Sequence, residues 1–342
     1  MLNRSFKDFK FQHLRNKNQI IYTSQKVKND LEILNLIDNF LDQKNSFIFE
    51  SVEKGKIRGR YTIFGKNPDK IWEFNNKNSY LTTNNVKKKI KGTPKKIIEK
   101  IIEEFKFKTP ASLPPICSLI SGYFSYDSIR YVEKIPNKCK NDLKLPDVRL
   151  LRPKTLIIHD NLKKKIFYII NIYNDEKIFN YKKKYLEVES EINDLLIQAS
   201  LTKNKSYDYK KAKIKVKSNT SKSKFLGMVN KAKKYIKIGD IFQVVLSQRF
   251  EANLSKSPLE IYKKLRVTNP SPFMYFFNFE DFQIIGASPE ILVRLRDNKI
   301  TVRPIAGTRP RGKNIKEDSF FAKDLLKDKK ELSEHLMLLD LG

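Results

Sequence analysis

Three stretches of this chain run through strand-forming apolar residues and then reverse at a turn, a pattern that predicts antiparallel β-sheet. Residues 46–65 read SFIFESVEKGKIRGRYTIFG, where Phe47 and Phe49 alternate with polar positions, as do Tyr61 and Ile63, and Gly55 marks the turn region. Residues 155–173, TLIIHDNLKKKIFYIINIY, predict a second hairpin that turns near Asp160 and Asn161. Residues 282–305 predict a meander of FQIIGAS, ILVRLR and ITVRPI with a turn at Asp297 and Asn298. The stretch SLISGYFSYDSIRYVEKIP reads as a strand running into a short element that ends at Pro136, and IFQVVLSQRF (241–250) reads as a strand.

Helical patterns separate these strands. Residues 92–106 predict a short amphipathic helix, and 175–198 a charged one. Ser223 can cap a helix carrying Phe225, Leu226, Val229, Ala232 and Ile236 at helical spacing, closed by Gly239. Ser257 and Pro258 open another helix that stops before NPSP, and a last one runs from about Glu317 to Leu339. Strands mixed with helices in this way give an α+β fold. A chain of 342 residues suits two domains. The polar, lysine-rich segment 199–222 predicts a linker between a first domain, 1–198, and a second, 223–342.

The apolar fraction of 40% is enough to bury a core and excludes a wholly disordered chain. No apolar run reaches the ~18 residues of a membrane span, and the first residues lack the apolar run of a secretory signal. Cys117 and Cys139 stand outside any CxxC pair, which removes zinc-finger and thioredoxin readings and points to a reducing cytoplasm. The net charge is +31, yet 55 of the 69 basic residues are lysine. Groove and phosphate readers favour the arginine fork, and these lysines are scattered and not interleaved with stacking aromatics. The charge therefore reads as a solvated surface, useful to an anionic small substrate, and no nucleic-acid partner is expected.

Three segments could carry chemistry. PIAGTRPRG (304–312) sets Gly307 and Thr308 directly after a strand, where backbone can approach a ligand and N–H and hydroxyl groups can meet an anion. On spacing alone the segment reads more readily as an ordinary strand-end turn with solvated arginines. In KKELSEHLMLLDLG (329–342), Glu331, Glu334 and His335 share a helix face that borders the stripe of Phe321, Leu325, Leu332, Leu336 and Leu339. Hard oxygen ligands there suit magnesium or proton transfer, and equally a surface glutamate pair. In GDIFQVVLSQRF, Gln243 lies within an apolar strand, where a buried amide would orient a substrate or pair with backbone.

The ordered set GDIFQVVLSQRF, NPSPFMYFF, GASPEILVRL, RPIAGTRPRG and ELSEHLMLLDLG resembles the chorismate-utilising enzymes, and within them the first component of anthranilate synthases. FIFESVEKGKIRGRYTIFG and GYFSYDSIRYVEKIP resemble that family's amino-terminal domain, so the resemblance covers nearly the whole chain. It implies a two-layer antiparallel β-sandwich core with helices outside, the first domain carrying the tryptophan regulatory side and the second the start of the chorismate-binding catalytic domain. Aminodeoxychorismate synthases, the alternative, typically carry lysine where this chain has Ala306, and isochorismate synthases a lysine base where it has Gln243. Chorismate would be aminated at C2, lose its C4 hydroxyl and eliminate pyruvate. The resemblance gives Gly307 and Thr308 to substrate binding, Glu334 to a magnesium ion, and Glu331, with Gln243, to the chemistry. Tryptophan as feedback inhibitor would meet Glu50, Ser51, Pro272, Phe273 and Met274, with Phe273 in place of the more usual tyrosine. Neither cysteine sits in a nucleophile elbow, so ammonia would come from a glutamine amidotransferase partner, the second component of such synthases. The family continues well past the position of Gly342, with a histidine base and a second magnesium carboxylate. The expectation is therefore that residues 1–342 alone lack synthase activity and expose an unpaired sheet edge; a further alternative is a tryptophan-binding fragment without activity.

Overall fold

The computed structural model describes residues 2–27, 31–52, 59–76, 78–105, 107, 109–201 and 214–342. The turn expected at Gly55 lies outside them, as does most of the expected linker. In chain order come α1 (Phe6–Leu14), β1 (Gln19–Lys26), α2 (Leu31–Phe40), β2 (Ser46–Glu50), β3 (Tyr61–Asn75), β4 (Asn78–Thr83), β5 (Val86–Ile90) and α3 (Pro94–Glu104). Then follow β6 (Ser121–Phe124), a 3-10 turn (Tyr126–Tyr131), β7 (Val148–Asp160), β8 (Lys165–Ile172), α4 (Tyr181–Ser200), β9 (Val216–Ser218) and α5 (Lys222–Lys237). The chain finishes with β10 (Phe250–Ala252), α6 (Pro258–Thr268), β11 (Phe273–Asn278), β12 (Gln283–Ser288), β13 (Arg294–Arg296), β14 (Lys299–Thr301), α7 (Ile315–Lys327) and α8 (Lys329–Leu341).

The fold is α+β around one large antiparallel sheet in the order β1-β8-β7-β3-β2-β11-β12, with β4 and β6 pairing from β3 and β7, and β5 from β4. Period-two alternation sorts its side chains. Ile20, Phe47, Leu156, Ile158, Phe167, Ile169 and Phe277 cluster on one face, closed in part by Leu113 and Cys117. The opposite face carries Ile48, Phe64, Ile157 and Ile170, all fully or nearly fully buried. Helices cover it: Phe40 of α2 meets Phe64 edge-on at 5.7 Å, and Tyr262 of α6 meets Phe276 at 5.7 Å. Two arginines of β7 lock the sheet. Arg149 holds Glu73 and Asp281 with Phe279 and Phe282 against its guanidinium, and Arg152 holds Asp69 and Asp175 above the Tyr173 ring.

The chain divides into compact units at two places, one inside the expected linker 199–222 and one after residue 261, within the expected second domain. Residues 1–203 and 262–342 form one unit and 204–261 the other. The reason is strand pairing: β11 lies beside β2, with Met274 opposite Glu50 and Phe277 opposite Phe47, which ties the later segment to the first half. Within the smaller unit, β9 pairs with β10, and Ser221, two residues before the expected Ser223, caps α5 by accepting from the Lys224 N–H. The strand expected over 241–250 is absent apart from its last residue. Phe242 is 80% and Val245 84% exposed, and no strand among the described residues pairs with 241–249 to bury them. The meander over 282–305 is present as β12 and the short pair β13–β14.

Candidate active site

The single helix expected from Glu317 to Leu339 is two helices, because Asp328 breaks it and caps the second. Its carboxylate accepts from the N–H groups of Lys330 and Glu331, the usual positions for an N-cap side chain. The apolar stripe is thereby divided, and Leu332, Leu336 and Leu339 are exposed. What α8 packs on is the segment after β14. A Cβ built on Gly307 would lie 2.1 Å from Glu331 Oε2, and one built on Gly342 would lie 3.1 Å from a Val302 methyl. The helix therefore runs back along 302–307, with its acidic first turn at the Gly-Thr pair. Only glycine leaves room for a carboxylate directly over the backbone there. The structure thus brings Glu331 onto Gly307, half-buried, with Thr308 exposed beside it.

Glu334, one turn further along α8, is exposed and makes no hydrogen bond or ion pair among the described residues. No group of three His, Cys, Asp or Glu side chains gathers among the described residues. Magnesium is commonly held by one or two carboxylates with water and substrate oxygens, and an uncommitted hard carboxylate fits that partial role.

The turn itself is laced to both helices. Arg309 bonds Asp324 at 2.6 Å and Asp328 at 2.8 Å, while Arg311 and the Gly312 N–H bond Asp318. Hydrogen bonds to Asp324 and then Asp328 raise the Arg309 guanidinium above its ordinary range. Bonds from the Gly312 N–H and then Arg311 hold Asp318 below the usual carboxylate range.

The five residues expected to meet an effector converge where β2 ends and β11 begins. Met274 pairs with Glu50, and the Val52 N–H donates to the Ser271 carbonyl at 3.1 Å. The strand alternation then separates them: Met274 is 1% exposed on the helical face, and Phe273 is 42% exposed on the other. Pro272 and Ser51 are half-buried. The Glu50 carboxylate is buried and engaged, accepting from Arg266 Nε at 2.8 and 2.9 Å and from the Tyr262 hydroxyl. Burial first, and then the charge of Glu50, raise the Tyr262 hydroxyl above its ordinary range. Thr62 and His159 continue the row from Glu50 across β3 and β7, both buried.

Gln243 belongs to the smaller unit, in an irregular segment, and is exposed rather than buried in a strand. The sequence reading missed Arg309, Asp328, Tyr262 and Arg266. For the last two a signal existed, since they fall one turn apart on α6 and so share a face, but their partner lies more than 200 residues away.

The chain matches the chorismate binding enzyme family over residues 45–342. Component 1 of anthranilate synthase from Cereibacter sphaeroides is 39% identical over 99% of this chain and 69% of its own length. That from Acetivibrio thermocellus is 39% identical over 94% of this chain and 67% of its own. Among solved structures, anthranilate synthase component I from Streptococcus pneumoniae superposes with a TM-score of 0.70 at 32% identity, covering 84% of this chain and 61% of that one. An isochorismate synthase from Escherichia coli shares the fold at 13% identity, with a TM-score of 0.61 over 98% of this chain.

Proposed function

The chain belongs to the chorismate-binding enzyme family, and from that premise we propose that it serves as component I of an anthranilate synthase. In that reaction chorismate and ammonia give anthranilate, pyruvate and water, which makes the enzyme a lyase of amino-acid biosynthesis. The observation that carries the reading is the Glu331 carboxylate lying on Gly307. It joins an anion-compatible turn to an acid one atom-width away, as departure of a ring hydroxyl beside a bound carboxylate requires. In this reading Thr308 and the backbone at Gly307 hold the dianionic substrate, and Glu331 delivers a proton to the leaving C4 hydroxyl. Glu334 would contribute one ligand to magnesium, which when bound neutralises and orients a substrate carboxylate.

Ammonia would be supplied by a separate glutamine amidotransferase subunit. A cytoplasmic location accords with two cysteines that are both free thiols and with the absence, among the described residues, of any helix long and apolar enough to cross a membrane. Tryptophan is proposed as inhibitor at the meeting of β2 and β11, where its ammonium would share the Glu50 carboxylate with Arg266 and its ring would meet Met274 or Phe273 on one face only.

The test is fluorescence detection of anthranilate from chorismate, magnesium and ammonium with the intact protein. Glutamine should replace ammonium only when the amidotransferase is added. Formation of aminodeoxychorismate or isochorismate in place of anthranilate would overturn the assignment.

A further inference from the structure

The Gly-Thr turn is fastened to both of its helices through one side chain. Arg309 Nε donates to Asp324 Oδ2 at 2.6 Å, Nη2 donates to Asp328 Oδ2 at 2.8 Å, and Nη1 donates to the Thr308 carbonyl at 3.2 Å. The same Nη1 stands 3.9 Å from Glu331 Oε1. Asp328 uses its other oxygen, Oδ1, for the N–H groups of Lys330 at 3.0 Å and Glu331 at 3.3 Å. One carboxylate thus joins the guanidinium to the backbone of the very residue whose side chain lies over Gly307. The planar guanidinium spreads its fixed donors over two aspartates and a carbonyl; a compact ammonium at one point lacks that spread and that geometry.

The close fit at Gly307 makes this arrangement consequential. With 2.1 Å between Glu331 Oε2 and the place of a Cβ, the acid has little freedom to adjust if the first turn of α8 moves. We infer that Arg309 is a positioning residue: it sets the first turn of α8 against the Gly-Thr turn and so aims the Glu331 carboxylate, without touching substrate. The inference rests on the proposed role of Glu331.

Arg309→Gln and Arg309→Lys in the intact protein test it. Arg309→Gln should lower kcat for anthranilate formation by about 100-fold, the typical effect of misplacing a reacting group by about 1 Å. KM for chorismate should stay within about threefold, because no substrate contact is lost. Arg309→Lys, which keeps the charge but not the fork, should recover part of kcat. Hydrogen exchange at the Lys330 and Glu331 amides should quicken in Arg309→Gln while the sheet amides stay protected. A rise in KM with kcat intact would overturn the inference by making Arg309 a substrate contact, and unchanged exchange at those two amides would overturn the clamp. If the unsubstituted protein makes no anthranilate, the functional reading fails, and the exchange measurement alone then decides whether Arg309 fixes the first turn of α8.

Discussion

Adding one methyl group at Gly307 puts the site's geometry to a quantitative test. In Gly307→Ala the new Cβ would stand 2.1 Å from Glu331 Oε2, 2.6 Å from its Cδ and 2.9 Å from its Cβ. Ordinary carbon contacts are about 3.5–4.0 Å, so the carboxylate must move by more than about 1 Å. Swinging the carboxylate relieves the first two contacts. It does not relieve the third, because Glu331 Cβ is fixed to the helix backbone, so α8 must also shift by several tenths of an ångström. Overpacking of this kind typically costs about 1–3 kcal/mol, which a domain of this size registers as a few degrees in Tm. The loss in catalysis should be far larger, because a general acid contributes about 10²- to 10⁴-fold and is sensitive to placement. Anthranilate fluorescence at saturating chorismate should therefore drop by at least about 100-fold in Gly307→Ala while thermal melting changes little. Adding Glu331→Gln to Gly307→Ala should cost almost nothing more, since both act on one group. A Gly307→Ala protein with kcat within about threefold of the unsubstituted one would refute the placement of Glu331 as the acid.

Three further outcomes follow from other parts of the molecule. Arg266→Ala leaves the buried Glu50 carboxylate, among the described residues, with the Tyr262 hydroxyl as its side-chain partner, and should destabilise the protein by about 3 kcal/mol in urea melts; a loss below about 0.5 kcal/mol would mean the pair is not structural. Burial pushes the Glu176 carboxyl up, but Lys154 and Lys184 outweigh it and hold it below its ordinary value. A depressed carboxylate stabilises above its unfolded pKa of about 4.3 and loses that contribution as pH falls towards the folded value; Glu176→Gln should therefore be less stable than the unsubstituted protein at pH 7, with the gap closing below about pH 4, and a constant gap would contradict the linkage. Glu334→Gln should raise the magnesium concentration for half-maximal rate by about tenfold or more, and complete removal of magnesium by chelation should abolish turnover.

Local patterns and long-range captures differ in how well the sequence exposes them. The hairpins at 46–65 and 155–173 were legible because alternation in the first, unbroken apolar runs in the second and a turn in each are local properties of the chain, and β2–β3 and β7–β8 pair accordingly. The helix ending before NPSP was legible from Ser257, Pro258 and the prolines beyond. The break between α7 and α8 was not, because KDKK contains no glycine or proline; Asp328 becomes a cap once Arg309, nineteen positions earlier, holds it. Gly307 was legible as a permissive turn residue, but the carboxylate seated on it depends on the return path of α8. Likewise FIFES suggested a binding carboxylate at Glu50, whereas its partners on α6 lie far along the chain. The 241–250 segment misled because a strand-forming composition records a capacity to pair, and among the described residues no strand lies beside it.

The placement of β2 between β3 and β11 also bears on biogenesis. Glu50 and Met274 are partners across about 220 residues of chain, and closing such a loop costs about 5 kcal/mol of entropy before any contact forms. At translation speeds of about 5–20 residues per second, the β11 side of β2 waits some 10–45 s for its mate to leave the ribosome. During that interval the nascent chain carries an open hydrogen-bonding rim flanked by Phe47, Ile48 and Phe49, a surface that trigger-type chaperones would be expected to shield until synthesis passes Asn278.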